Sequence, residues 1–438
     1  MRIALIGIAL SLALGGCLRP SVPVPPAERP LWSVAALNDL KRSAEAAPLE
    51  GLASEQPALS EIARFRQLAA TNPAANAQVD IAADSLFSSL ARSFAQGASE
   101  PTRADPEWRI SAPPAPDLDA LHAALAAGAM PSALLDDLLP KSSDYRALRT
   151  ALARTYAEAP GALDANGLDR ETRLTRLRAN MERWRWLPRD LPARRLEVRI
   201  PAFETALHRP DAPSLTHPII VGARKTPTPS FAASIVSVTL NPTWEPPASI
   251  VRNELLPHFQ RDPAAAVAEG FDALDSSGAV VDPAAVDWTA QPFRYRLRQR
   301  SGPANALGQI RFDLPNPYSI YLHDTSARGL FARSDRALSH GCIRVGDPQS
   351  LAQAIIDAPE WDDAALQTAI ADGETKSIAL SAPVPIYVLY LTASAGEDGG
   401  VAYFDDIYHR DAAVVAALDA PDVALVAAAQ ITMERCMA

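Results

Sequence analysis

Arg195-Leu196-Glu197-Val198-Arg199-Ile200 is the stretch on which the architecture turns. Leu196, Val198 and Ile200 alternate with charged residues, the period-two pattern of a half-buried strand. Upstream the period is helical. Leu86, Leu90 and Phe94 recur at helical spacing, as do Leu118, Leu121 and Leu125. Ser142-Ser143 starts a helix expected to end near Tyr156, and Thr172 to Trp186 forms another, closed by Pro188. Pro57, Pro73, Pro101, Pro131 and Pro140 separate the helices of this half. Downstream, His217 to Val221, Ser234 to Leu240, Ser319 to His323 and Pro385 to Thr392 read as further strands.

The expected fold class is therefore α+β. An Ala-rich helical domain spans 31–189, and a β-rich domain, a mixed sheet or sandwich, spans 190–395. An insertion over 241–291 carries helical stretches from Pro247 to Leu256 and from Pro263 to Glu269. A tail over 396–438 carries an Ala-rich helix within Tyr408 to Gln430.

With 438 residues, 48% of them hydrophobic, the chain can build two or three domains with real cores. Its net charge of −10, with no basic cluster interleaved with aromatics, argues against nucleic-acid binding. No stretch beyond the N-terminus has the length and apolarity of a membrane span. Residues 1–16 read as a signal peptide: Arg2 supplies a positive charge, and Ile3 to Leu14 is apolar but too short to cross a bilayer. Leu14-Gly15-Gly16-Cys17 resembles a bacterial lipobox, which implies that Cys17 is lipidated. An ordinary secretory signal with a chance cysteine is the alternative. Leu18 after the cysteine implies the outer membrane, where acyl chains would be the anchor. Residues 17–30, rich in proline from Pro20 to Pro30, form an extended tether.

The chemistry concentrates in Ser339-His340-Gly341-Cys342-Ile343-Arg344, with His323 a short way upstream. Among 3 cysteines and 7 histidines, one cysteine and two histidines fall in this segment. A thiol is a strong nucleophile only as thiolate, and an imidazole is the usual means of generating it. Cys342 is the expected nucleophile and His323 the general base. Gly341 lets the backbone turn tightly, so the amides of Gly341 and Cys342 are oxyanion-hole candidates. His340 either contacts substrate or braces the loop. Arg344 either favours the thiolate, pairs a substrate carboxylate, or serves a structural ion pair. Lipidation of Cys17 would leave Cys342 and Cys436, and a bridge between them would silence the nucleophile. No Cys-x-x-Cys, His-Glu-x-x-His or Gly-rich phosphate loop is present, so neither metal nor cofactor is expected.

Tyr321-Leu322-His323-Asp324-Thr325, Phe331, Arg336 and Ser339 to Val345 resemble the signature of the L,D-transpeptidases, the YkuD-type catalytic domain. Asn180-Met181-Glu182-Arg183-Trp184-Arg185-Trp186-Leu187-Pro188, Asn241-Pro242-Thr243-Trp244, Gly302 to Gly308 and Tyr403 to Tyr408 extend the likeness to the large periplasmic subgroup. The resemblance makes the helical half a scaffold domain and 241–291 a lid; a plain surface insertion is the alternative. It implies that the Ser339 carbonyl holds the second ring nitrogen of His323. Tyr321, Asp324, Thr325 and Arg336 would shape the pocket, with Tyr321, Thr325, Arg336 and Arg344 as substrate contacts. The subgroup carries a peptidoglycan-binding module where this chain has roughly two dozen residues between Tyr156 and Asn180, too few for a helical module with its own core.

The activity implied is 3→3 crosslinking of peptidoglycan. Cys342 would attack the bond between meso-diaminopimelate and D-alanine of a tetrapeptide stem, form a thioester, and pass it to an amine. Carbapenems would acylate the same thiol. Two other readings stay open: an L,D-carboxypeptidase or endopeptidase that trims stems with water, and a non-catalytic envelope scaffold. The expected partners are peptidoglycan stem peptides and the outer-membrane lipid, with other envelope proteins left open; the expected location is the periplasm.

Overall fold

The structure, a computed structural model, describes residues 32–396 and 399–420. The proposed signal peptide, Cys17, the tether, Cys436 and the end of the C-terminal tail lie outside the described residues.

The first half is helical because its side chains permit it and its caps close it. Asp117, Ser142 and Asp169 each accept a hydrogen bond from a backbone amide of the first turn, opening helices Leu118–Ala126, Ser143–Tyr156 and Arg170–Arg185. The longest helix, Asn76–Gln96, buries Leu86, Phe87, Leu90 and Phe94 in a core shared with Trp108, Leu148, Leu152 and Leu177.

Helix Arg170–Arg185 ends in charged residues that are buried. Burying such groups is costly unless each is paired. Arg183 reaches Asp411 at 2.5 Å, and Asp411 also accepts from the Thr392 hydroxyl at 2.6 Å. Asn180 accepts from the Thr392 amide and donates to the Thr392 hydroxyl. Arg185 binds Glu182, the Glu50 carbonyl and the Tyr145 hydroxyl. Asn180 to Trp186 is thus a keystone that ties the helical half to the end of the large sheet and to helix Asp411–Leu418. Leu391, Ala393, Val414 and Leu418 belong to the scaffold core, so the chain returns to its first domain after completing the second.

The second domain is built on strands β1 (Arg195–Arg199), β2 (Glu204–Arg209), β3 (Ala212–Gly222), β4 (Phe231–Leu240), β8 (Ile310–Asp313), β9 (Leu322–His323), β10 (Ala337–Ser339), β11 (Ile343–Val345) and β12 (Lys376–Leu389). Their order is β10-β3-β11-β9-β8-β4-β12-β1-β2, and β3 also pairs with β2, so the sheet closes on itself. It is mixed, as expected: β1–β12, β3–β10 and β9–β11 are parallel. The inward faces supply Leu196, Val198, Ile219, Val238, Phe312, Leu322, Ile343 and Ile386 to one core.

The insertion carries helical segments between Ala248 and Ala268, then a small sheet of β5 (Phe271–Leu274), β6 (Val280–Val281) and β7 (Arg296–Gln299). Its end lies beyond the expected residue 291, because β7 returns to pair with β5. Phe259, Phe271, Trp288 and Leu297 give it a separate core. Trp244 exchanges backbone hydrogen bonds with Gln299, closing its root. Asn305 donates to the carbonyls of Pro242 and Arg300 there. Strands β13 (Ala393–Ala395) and β14 (Val401–Tyr403) form the hairpin that leads to the last described helix.

Candidate active site

Strand pairing decides which side chains meet. β9 and β11 run parallel, with Leu322 opposite Ile343 and His323 opposite Arg344. The Ile343 amide donates to the Tyr321 carbonyl at 3.1 Å, carrying the register back to Tyr321 and Cys342. Side chains alternate along a strand, so Leu322 and Ile343 enter the core while Tyr321, His323, Cys342 and Arg344 share the opposite face. The register makes His323 and Cys342 diagonal neighbours on that face. Arg311 of β8 pairs with His323 from the other side and holds its guanidinium 5.9 Å from the Tyr321 ring. The Tyr321 and His323 rings meet edge to face at 5.7 Å.

The nucleophile turn is held from below. Gly341 has φ +116, a conformation open to glycine and strained for other residues. The Thr228 hydroxyl donates to the Gly341 carbonyl at 2.8 Å and accepts from the Gly222 amide at 2.9 Å. The Tyr408 hydroxyl donates to the Gly222 carbonyl. The Cys342 sulfur, half-buried, lies 3.8 Å from the Ser319 carbonyl. Ser319 takes a left-handed backbone (φ +55) because the Asn316 side chain captures the amides of Tyr318 and Ile320.

Several residues serve differently from expectation. Both acceptor positions of the Ser339 carbonyl are occupied, by the Ala223 amide at 2.7 Å and the Thr226 hydroxyl at 3.1 Å. It is therefore not the partner of His323, whose Nδ1 has no hydrogen-bond partner among the described residues. The Ser339 hydroxyl instead bridges the turn, accepting from the Gly341 amide and donating to the Cys342 carbonyl. That engages one oxyanion-hole candidate and leaves the Cys342 amide. Arg336 donates to the carbonyls of Ile219, Phe203 and Arg333, which makes it a brace for β3 rather than a substrate contact. Thr325 is buried and accepts from the Ala327 amide. Asp324 accepts from the Gln309 amide and from Arg328, with its carboxylate under Gly308, where a Cβ would stand 2.3 Å from the carboxylate oxygen.

Electrostatics sets the resting protonation. His323 is 5% exposed, and burial, reinforced by Arg344, pushes its imidazole down to about 3. The Asp324 and Leu307 backbone and Arg311 contribute less, the first two opposing the shift. Burial raises the Cys342 thiol above its ordinary value, opposed by contact with Tyr321 and by Arg344. Burial, then the neighbouring Cys342, raise the Tyr321 hydroxyl, which also contacts Trp244 at the root of the insertion. The favoured resting state is thus neutral imidazole beside neutral thiol. His340 turns outward and its Nε2 lies 2.6 Å from Glu254 of the insertion. Among the described residues no cluster of His, Cys, Asp or Glu is arranged to hold a metal.

Ser319, Thr228 and Glu254 were missed by sequence reasoning. Only the Asn316-Pro317 turn signal pointed toward Ser319; the other two come from distant segments.

A closed mixed sheet thus presents a thiol and an imidazole on neighbouring strands. Residues 193–365 match the L,D-transpeptidase catalytic domain (YkuD), and residues 26–152 match the Scaffold domain. A loop with one isolated bridge links helices Ser143–Tyr156 and Arg170–Arg185, the place where the sequence was expected to lack a binding module. A Haemophilus influenzae protein named "Putative L,D-transpeptidase" is 36% identical over 216 residues, 49% of this chain. The matched stretch spans 44% of that relative's length.

Proposed function

We propose that the protein is a peptidoglycan L,D-transpeptidase with Cys342 as nucleophile and His323 as base. The observation that supports this reading is the register of β9 and β11, which sets His323, Cys342 and Arg344 on one face, with Arg311 on the neighbouring strand. The thiol proton passes to the imidazole as sulfur attacks the carbonyl of meso-diaminopimelate, because neither group is charged at rest. The Cys342 amide is positioned to receive the developing oxyanion. Arg344 favours the negative sulfur and can pair a stem carboxylate. The C–N bond breaks, D-alanine takes the proton from His323 and leaves, and a thioester remains. An amine from a second stem attacks it, His323 accepts the amine proton, and the thiolate departs and is reprotonated. Amide formation gives a 3→3 crosslink.

Attack by water on the same thioester would trim the stem instead. Incubation with a disaccharide tetrapeptide separates the two, since transfer yields a dimer by mass and hydrolysis only trimmed monomer. Cys342→Ala is expected to yield neither. Attachment through a lipidated Cys17 to the outer membrane, facing the periplasm, completes the proposal. Intact-mass measurement of the mature protein tests it by the added acyl mass.

A further inference from the structure

A side-chain pair joins the lid to the nucleophile turn. Glu254 Oε1 lies 2.6 Å from His340 Nε2, and both side chains are about half exposed, at 50% and 46%. His340 stands between Ser339, which braces the turn, and Gly341-Cys342. Glu254 stands in a π-helical turn, Val251–Leu255, set between Ala248–Ile250 and Leu256–Arg261. π-helical turns are rare, and where they occur they frequently mark functional sites. An added residue in the turn rotates the side chains that follow, which is a means of aiming one of them. The lid has its own core around Phe259, Phe271 and Trp288 and is rooted at Trp244 and Gln299, so it can act as a unit. A half-exposed pair of this kind adds little to stability. That weakness suits a contact made and broken in each turnover.

We propose that Glu254 is a positioning residue that acts through His340. By latching the lid over the nucleophile turn it shields the Cys342 thioester and sets how that intermediate divides between amine and water. The inference rests on the thioester chemistry proposed above. Both fates balance: an amine gives an amide and frees the thiol, and water gives a carboxylate and frees the thiol. An open lid raises the access of water to the carbonyl more than that of a bound amine acceptor.

The test follows both products by mass in wild type, Glu254→Ala and Glu254→Gln, with a disaccharide tetrapeptide as donor and acceptor. Glu254→Ala is expected to raise the ratio of trimmed monomer to dimer by about two- to fivefold, the range an exposed pair supports, while donor consumption continues. Glu254→Gln retains an uncharged hydrogen-bonding side chain and is expected to fall between the two. An unchanged ratio in Glu254→Ala, with the variant folded by circular dichroism, overturns the latch. Loss of donor consumption in that variant overturns it as well, because Glu254 would then serve bond cleavage itself. Absence of both products with wild type sinks the enzymatic reading, and the latch with it.

Discussion

His323 and Arg344 stand directly opposite each other across the parallel β9–β11 ladder. A cation fixed beside an imidazole opposes its protonation, and the same cation favours the thiolate of Cys342. One guanidinium therefore opposes protonation of the imidazole and favours ionisation of the thiol. In the proposed reaction, proton transfer would then be coupled to attack instead of preceding it.

Thiol reactivity should follow. Alkylation of Cys342 by iodoacetamide should rise along a pH curve whose midpoint lies above that of an ordinary cysteine. Arg344→Gln should move that midpoint further upward, since a thiolate-stabilising charge is lost. A midpoint near neutrality in the wild type would contradict the neutral resting pair.

Acid stability gives a second reading of the same site. The unfolded-state value for His323 is about 6.5, and the folded value is about 3. Between these values the unfolded chain binds a proton that the folded site refuses, so stability is complete above about pH 6.5 and lost as pH falls toward about 3. The shift corresponds to a few kcal/mol at most, on the order of 1.4 kcal/mol per unit. Thermal unfolding of His323→Asn should show a shallower loss of Tm across this range than wild type. Parallel curves would contradict the account.

Thr228 tests the underside of the turn. Thr228→Val leaves the buried Gly222 amide and Gly341 carbonyl without their bridge, at a cost of about 1–3 kcal/mol. Urea unfolding should show that loss, and donor acylation in the folded variant should slow. Full acylation at wild-type rates would mean that the bridge does not position Cys342.

Arg336 separates bracing from binding. Arg336→Ala removes donors from the Ile219, Phe203 and Arg333 carbonyls. The variant should lose about 1–3 kcal/mol in denaturant unfolding. Its KM for tetrapeptide, measured well below the unfolding midpoint, should hold. A raised KM with unchanged stability would restore Arg336 as a substrate contact.

Much of the architecture was legible where a local signal coincided with a local cause. Ser142 caps the helix whose start it marks, and Leu196 and Val198 are buried on β1 as their alternation required. The strand expected from Ser319 to His323 was overread: Asn316 captures two amides and Ser319 turns left-handed, so the strand itself covers only Leu322–His323. The end of the insertion was underread because Arg296 and Arg298 conceal the short strand that returns to β5. Within the candidate site, Cys342 and His323 stand out by residue type and spacing alone. The work of Ser339 was not, since a neighbouring loop, 223–228, occupies its carbonyl. Glu254 reaches His340 from 86 residues away, a distance that no local pattern encodes.

The central claim is tested most directly by trapping the acyl-enzyme with a disaccharide tetrapeptide donor and locating the adduct by peptide mass. The account predicts a mass equal to the donor minus D-alanine on the peptide containing Cys342, slowed strongly in His323→Asn and absent in Cys342→Ala. The same adduct on another residue, or its persistence in Cys342→Ala, would contradict it.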